Sequence, residues 1–261
     1  MLGSPDPTLQ RRALRDFYAS EAADRNDPAW LEAGGSARVP ESPASHYFLD
    51  RKVDTALAMA PAPREAHVLE VGCSFGHQTF LLARRFASVE AVDLSPESIA
   101  LARRRAERWG VGNVRFDVAD AENLAAYADA SFDLVVSFST LRFCPDPLRA
   151  LREFRRVTRP GGRLAADFPN ADCPWYGPLK RSLGIEEHIH DRLFRAAEVR
   201  ALLTEAGWSS TRTRHILFTT KRVPAAALGI FRVVDAVAER LPVVRGWSGI
   251  VMATGTNDGG R

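Results

Sequence analysis

The sequence predicts an α/β fold in which helices cover a mainly parallel sheet. Three observations carry this. From His67 onward, short apolar runs alternate with stretches of helical periodicity. The first run passes directly into a glycine-bearing loop, Gly72-Cys73-Ser74-Phe75-Gly76, and the second ends on an acid, Asp93, 21 residues after Gly72. Strands joined through helices need crossover connections, and crossovers of that length join parallel neighbours.

The elements follow in order. Thr8–Ala22 carries Leu9, Leu14, Phe17 and Tyr18 at helical spacing. A loop marked by Pro28, Gly34, Gly35, Pro40 and Pro43 leads to a second helix, Ser45–Ala60. His67–Val71 is the first strand, and the helix after the glycine loop runs through Phe86. Val89–Asp93 is the second strand; Ser95 caps a helix to about Trp109, with Glu97 in its first turn. Asn113–Asp117 and Phe132–Ser137 are strands three and four. A helix over Asp146–Thr158 closes at Pro160-Gly161-Gly162, before a fifth strand, Arg163–Phe168. A helix over Ala196–Ala206, stopped by Gly207, precedes a strand over Thr211–Thr219. An amphipathic helix, Pro224–Leu241, separates it from a last strand, Gly249–Thr254. Residues 1–60 are expected as an N-terminal helical cap on a domain of residues 61–261, with substrate-covering insertions near 169–195 and 220–245.

Composition narrows the function classes. The chain has 261 residues, 46% hydrophobic and 26% charged, which is enough to build a core and excludes global disorder. Its mean hydropathy is −0.18, and no run approaches the ~20 apolar residues of a membrane span. The first twelve residues hold Pro5, Asp6, Pro7 and two arginines, so no signal peptide is predicted and a cytoplasmic location is expected. Cys73, Cys144 and Cys173 are scattered, which predicts neither disulfides nor structural zinc. The net charge is +3, but only three basic residues are lysines and the arginines form no block, so no nucleic-acid partner is expected.

The loop is the informative segment. Its glycines let a ligand approach the backbone, and the following helix offers oriented N–H groups. Asp93 would lie beside it in a doubly wound sheet, where a carboxylate accepts ribose hydroxyls. A nicotinamide dinucleotide enzyme needs a second glycine where Ser74 stands, and Glu70 before the loop would repel a pyrophosphate. Glu70 instead suits an ammonium or sulfonium.

These residues resemble the class I S-adenosylmethionine-dependent methyltransferases of the small-molecule, type 11-like branch. Glu70-Val71-Gly72-Cys73-Ser74-Phe75-Gly76 looks like the motif that holds the methionine part of the cofactor. Val92-Asp93-Leu94-Ser95 is similar to the ribose-binding acid and its adenine-packing successor. Asp117 to Leu124 resembles the adenine motif, with Asp120 at the exocyclic amine and Ala121 beside it. Phe132–Ser137 and Arg159–Leu164 look like strands four and five. The resemblance covers about residues 65–168 and implies a Rossmann-like sheet of order 3-2-1-4-5-7-6, with strand seven antiparallel and helical lid additions. It implies a methyltransferase that turns S-adenosylmethionine into S-adenosylhomocysteine. No metal, membrane or nucleic acid is expected, and the protein would be a monomer or homodimer.

The expected cofactor site comprises Glu70, Gly72, Cys73, Ser74, Gly76, Asp93, Leu94, Asp120, Ala121, Ser137 and Phe138. Relatives often carry a histidine before Pro145-Asp146-Pro147; here that place is Phe143, so the customary base is missing. His188 and His190 are the substitute candidates, since they follow the fifth strand on the ligand-binding face. Tyr18, Tyr47, Trp175 and Tyr176 are candidates for closing over an acceptor, and packing is the competing reading for each. The expected acceptor is a hydroxyl of a natural product, sugar or polyketide. Nitrogen or carbon acceptors such as an amino sugar, and a non-catalytic cofactor-binding protein, are the alternatives.

Overall fold

A computed structural model describes residues 6–24, 42–177 and 192–259, and the fold is stated for these. The elements are α1 (Pro7–Asp24), α2 (Pro43–Met59), β1 (His67–Val71), α3 (Thr79–Ala83), β2 (Ser88–Asp93), α4 (Pro96–Arg108) and β3 (Val114–Val118). There follow β4 (Phe132–Ser137), α5 (Pro147–Val157), β5 (Thr158–Pro169), α6 (Ala196–Glu205), β6 (Ser209–Ile216), α7 (Leu228–Ala238) and β7 (Ile250–Thr256). Three helices begin with the same device, an oxygen-bearing cap followed by proline. Ser42 accepts from Ser45 N at 3.1 Å, Ser95 from Ser98 N at 3.1 Å and Asp146 from Arg149 N at 3.0 Å. Each cap satisfies an N–H that the helix leaves open, and the proline places its missing donor where none is needed.

The seven strands run in the order β3-β2-β1-β4-β5-β7-β6. All neighbours are parallel except β7, which is antiparallel to both β5 and β6. This is the predicted doubly wound sheet. Alternation along each strand sends successive side chains to opposite faces. Leu69, Val135, Leu164 and Ala166 pack with Leu151 and Phe154 of α5 and Leu203 of α6. Val68, Leu134, Val136 and Ala165 pack on the other face with Leu49, Val53 and Ala56 of α2.

Helices α1 and α2 therefore do two separate jobs. Helix α2 is a layer of the domain itself, while α1 rests over the strand ends. The ring of Tyr18 meets Phe75 edge-on at 6.3 Å and Phe143 at 6.5 Å, and Arg11 pairs with Asp120 at 2.8 Å and with Glu122.

Among the boundaries that differ from the sequence reading, two strand ends have a visible cause. Strand β5 starts at Thr158, upstream of the predicted turn, because Thr158 already pairs with Phe132 before the register shifts. Strand β6 ends at Ile216 instead of Thr219, because Leu217 turns to φ +66° and the next residues are taken by a carboxylate. That carboxylate is Asp235 of α7, which is fully buried. It accepts from Phe218 N at 2.6 Å, Thr219 N at 3.0 Å, the Thr219 hydroxyl at 2.6 Å and the Tyr47 hydroxyl at 2.9 Å. Helix α7 is thus anchored by its polar residue, and its apolar positions Ile230, Val233 and Val237 are exposed.

Asp235→Ala would leave two buried N–H groups without an acceptor, each worth about 1–3 kcal/mol. Urea denaturation should show a loss of about 3 kcal/mol or more; a loss below about 1 kcal/mol would show that this knot contributes little.

Candidate functional site

The strand order reverses beside β1, which has β2 on one side and β4 on the other. Open α/β sheets bind ligands in the crevice beyond the strand C-termini at such a point. A cavity of about 270 Å³ opens there, of the scale of an organic ligand site. Its walls run from Ala119, Asp120 and Ala121 after β3, through Asp93 and Leu94, to Gly72, Ser74 and Phe75, and on to Phe138, Ser139 and Thr140 after β4. Phe17, Tyr18 and Arg15 of α1 close it from outside.

The glycine loop is held from three directions. Gly72 N and Cys73 N both donate to Val92 O, at 2.7 and 2.9 Å. The buried Arg105 guanidinium of α4 donates to Phe75 O at 3.1 Å. Thr140 presses from the β4 side, where a Cβ on Gly72 would lie 1.8 Å from its Oγ1. With φ at +83° as well, Gly72 has both a conformational and a steric reason to be glycine.

Asp93 sits at the centre of the acidic side. Its Oδ2 accepts from Ser74 N at 2.8 Å and its Oδ1 from Ser95 N at 3.0 Å. A carboxylate has about four acceptor sites, so these bonds leave capacity for a ligand. Burial pushes its pKa up, opposed by the N–H groups of Ser95, Ser74 and Leu94. Asp120, already paired with Arg11, also accepts from Glu122 N at 2.9 Å.

The structure gathers most of the sequence-nominated residues and sets others apart. Gly72, Ser74, Asp93, Leu94, Asp120, Ala121, Phe138 and Tyr18 line the cavity. Gly76 lies in the same loop at φ +83°, where a Cβ would meet Phe80 at 2.8 Å. Cys73 turns its side chain into a core cluster with Phe80 and Ile99, so only its backbone belongs to the loop. Ser137 is buried and donates to Val71 O at 2.9 Å, tying β4 to β1. Tyr47 is bonded to Asp235, and burial, then that carboxylate, pushes its pKa up to about 12. Trp175 packs its ring 5.4 Å from Phe218, and Tyr176 accepts a bond from Arg142. None of Cys73, Ser137, Tyr47, Trp175 and Tyr176 is among the cavity walls described. His188 and His190 lie outside the described residues.

Glu70 is fully buried behind the loop. One oxygen accepts from the Thr79 hydroxyl at 2.5 Å, and Oε1 has no hydrogen-bond partner. Burial raises its pKa to about 7, with Thr79 pulling it down and Asp93 adding to the rise. Residues that the motif reading did not nominate are Thr140, Phe143, Lys52 and Arg105. Phe143 was noticed only as the place of an absent histidine.

This sheet order, with a glycine loop after β1 and an acid closing β2, is the Rossmann-like architecture of the class I methyltransferases. Residues 69–166 match the family model described as a methyltransferase domain. The chain is similar to the ubiquinone biosynthesis O-methyltransferase of Xanthomonas axonopodis pv. citri, 39% identical over 152 residues, covering 56% of this chain and 63% of the relative. It is also 42% identical over 100 residues to methyltransferase GfsG of Streptomyces halstedii, covering 38% of this chain and 36% of the relative. The chain thus spans less than two thirds of either. Geranyl diphosphate C-methyltransferase from Streptomyces coelicolor A3(2) shares the fold, with a TM-score of 0.63, 16% identity and coverage of 95% and 98% of the two chains.

The elevated pKa of Glu70 makes stability depend on pH. Between about pH 4.5 and 7 the unfolded chain ionises this group while the folded chain keeps its proton, so stability falls as pH rises through that window. Glu70→Gln should therefore stabilise the ligand-free protein at pH 8 by up to about 3 kcal/mol. The gain should vanish near pH 4. Thermal melts across pH 4–8 measure it, and parallel wild-type and variant curves would refute the buried, proton-retaining carboxyl.

Proposed function

We propose that this protein transfers a methyl group from S-adenosylmethionine to a hydroxyl oxygen of a small organic acceptor. The observation that carries the reading is the continuous cavity from the β3 end, past Asp93 and the glycine loop, to the β4 end. Its residues fit the cofactor. Asp93 offers lone pairs to the two ribose hydroxyls, while Leu94, Ala119 and Ala121 flank a space suited to a flat base. Asp120 takes the exocyclic amine, and the backbone around Gly72 and Ser74 admits the amino-acid part where Thr140 excludes any larger side chain.

When bound, the cofactor supplies a methyl group on a positively charged sulfur, open to in-line displacement. The chain's own part is to align and enclose. Phe17, Tyr18, Phe138 and Phe143 form apolar walls that keep water from the reacting atoms. Fixing the acceptor oxygen opposite the leaving sulfur removes much of the entropic barrier. Aromatic walls suit an acceptor with a ring or polyketide skeleton. The Xanthomonas relative, an O-methyltransferase, supports oxygen as the accepting atom.

Calorimetry with S-adenosylmethionine, S-adenosylhomocysteine and NADH tests the cofactor. The first two should bind and NADH should give no heat; binding of NADH alone would overturn the reading. Asp93→Ala should weaken S-adenosylhomocysteine binding about 100-fold or more, about 3 kcal/mol, with Asp93→Asn falling between. Unchanged affinity in both variants would remove Asp93 from the ribose site.

A further inference from the structure

We propose that Lys52 and Ser139 form a binding site for the ionised oxygen of the acceptor, with Asp167 holding Lys52 in place. This rests on the methyl-transfer reading and deepens it by naming the acceptor's chemical state. Lys52 comes from α2 and reaches the end of the cavity beyond β4, where Leu49, Phe138, Ser139 and Thr140 form the wall with it. It is 1% exposed, as is Asp167 near the end of β5. Their charges lie 2.6 Å apart. The Lys52 ammonium also donates to Ser139 Oγ at 2.6 Å, and Ser139 N donates to Asp167 Oδ1 at 2.5 Å.

A buried ion pair is a poor way to join a helix to a sheet, because apolar residues of similar size commonly serve as well or better. Here the pair stands at a cavity wall, and the ammonium has three protons to place. Asp167 and Ser139 face it on two sides. Because Ser139 Oγ accepts from Lys52, its own O–H proton is left to donate. One wall thus presents an ammonium and a hydroxyl donor together.

The charge of the whole cavity points the same way. Asp93, Asp120, Glu122 and Glu21 stand at the β2–β3 side, where Arg11 pairs with Asp120 and Glu122. Lys52 and Lys221 stand at the opposite side, and both ammonium groups approach the Phe48 ring, at 5.2 and 5.8 Å. These are two of the chain's three lysines. The acidic side takes the hydrogen-bond donors of the ribose and base, and the basic end is left for an anionic oxygen.

An acceptor that arrives ionised also accounts for Phe143 in the place of a base. The hydroxyl gives its proton to water on entry. Its oxygen lone pair then forms the new C–O bond while the C–S bond breaks and leaves its electron pair on sulfur, so that both products are neutral. No side chain has to take a proton. The aromatic walls and the anionic oxygen together specify a phenolic or enolic hydroxyl that ionises near neutral pH.

The probe is 4-nitrophenol, whose ionised form absorbs visible light, added to protein saturated with S-adenosylhomocysteine. In the wild type, binding should favour the ionised probe about tenfold or more, seen as a lowered midpoint in its absorbance titration. The double variant Lys52→Met with Asp167→Asn, which leaves no charge buried alone, should abolish that preference and keep S-adenosylhomocysteine affinity. Ser139→Ala, which leaves the ion pair intact, should reduce it. The proposal is overturned if the bound probe titrates like the free one, if no probe binds at millimolar concentration, or if the double variant keeps the preference. Calorimetry with S-adenosylhomocysteine separates the two readings. Cofactor binding without the preference removes this proposal alone, and the preference without cofactor binding removes only methyl transfer.

Discussion

Thr140 and the missing side chain of Gly72 occupy one space, and the cavity depends on that shared space. The loop after β1 can lie flat only because nothing projects from Gly72, and Thr140 can stand over it only for the same reason. Around this contact the other restraints are short and backbone-directed. Val92 O takes the N–H groups of Gly72 and Cys73, Asp93 takes that of Ser74, and Arg105 takes the carbonyl of Phe75. Restraints from β2, α4 and the β4 loop therefore converge on four consecutive residues, Gly72 to Phe75. A loop held this way is preorganised, and little ordering is left to oppose ligand binding.

The rest of the cavity is held differently. Helix α1 meets the domain through an arginine bridging Asp120 and Glu122, a bond from Gln10 to Phe143 O, the edge contacts of Tyr18, and Ala22 buried against Phe75 and Leu101. Part-exposed ion pairs contribute little, so the apolar contacts carry more of this attachment than the arginine does. The helix supplies Arg11, Arg15, Phe17, Tyr18 and Glu21 to the walls. The sheet side of the cavity thus carries the groups suited to the cofactor, and a separate helix covers it. Release of α1 exposes the strand ends without disturbing any strand pair.

The sheet and the cofactor side were legible because their information is local. Strand periodicity, the glycine loop and Asp93 fall within a short span, and each has a direct conformational or chemical reason. The Ser95 cap made one helix start equally readable, whereas Pro43, read as loop, is the first residue of α2. What escaped was long-range pairing. Lys52 meets Asp167 across 115 residues of chain, and Tyr47 meets Asp235 across 188. Nothing in a single sequence marks such partners, so Lys52 read as an ordinary helix residue and Tyr47 as a candidate for the acceptor. The inward side of the helix at Pro224–Leu241 is set in the same long-range way, by the carboxylate of Asp235 on the backbone of Phe218 and Thr219.

The position of β7 governs the order in which the molecule can be assembled. It is the last strand in chain order, yet it lies inside the sheet between β5 and β6. Until Ile250–Thr256 has left the ribosome, β5 has an open edge and β6 has no neighbour. A nascent chain can pair β1 to β5 early, but it must carry β6 and α7 unanchored to the sheet until the final strand arrives. Pairing of such late, distant segments is the slow kind, during which open strand edges invite association between chains. The sheet therefore cannot close before the chain has been synthesised through Thr256.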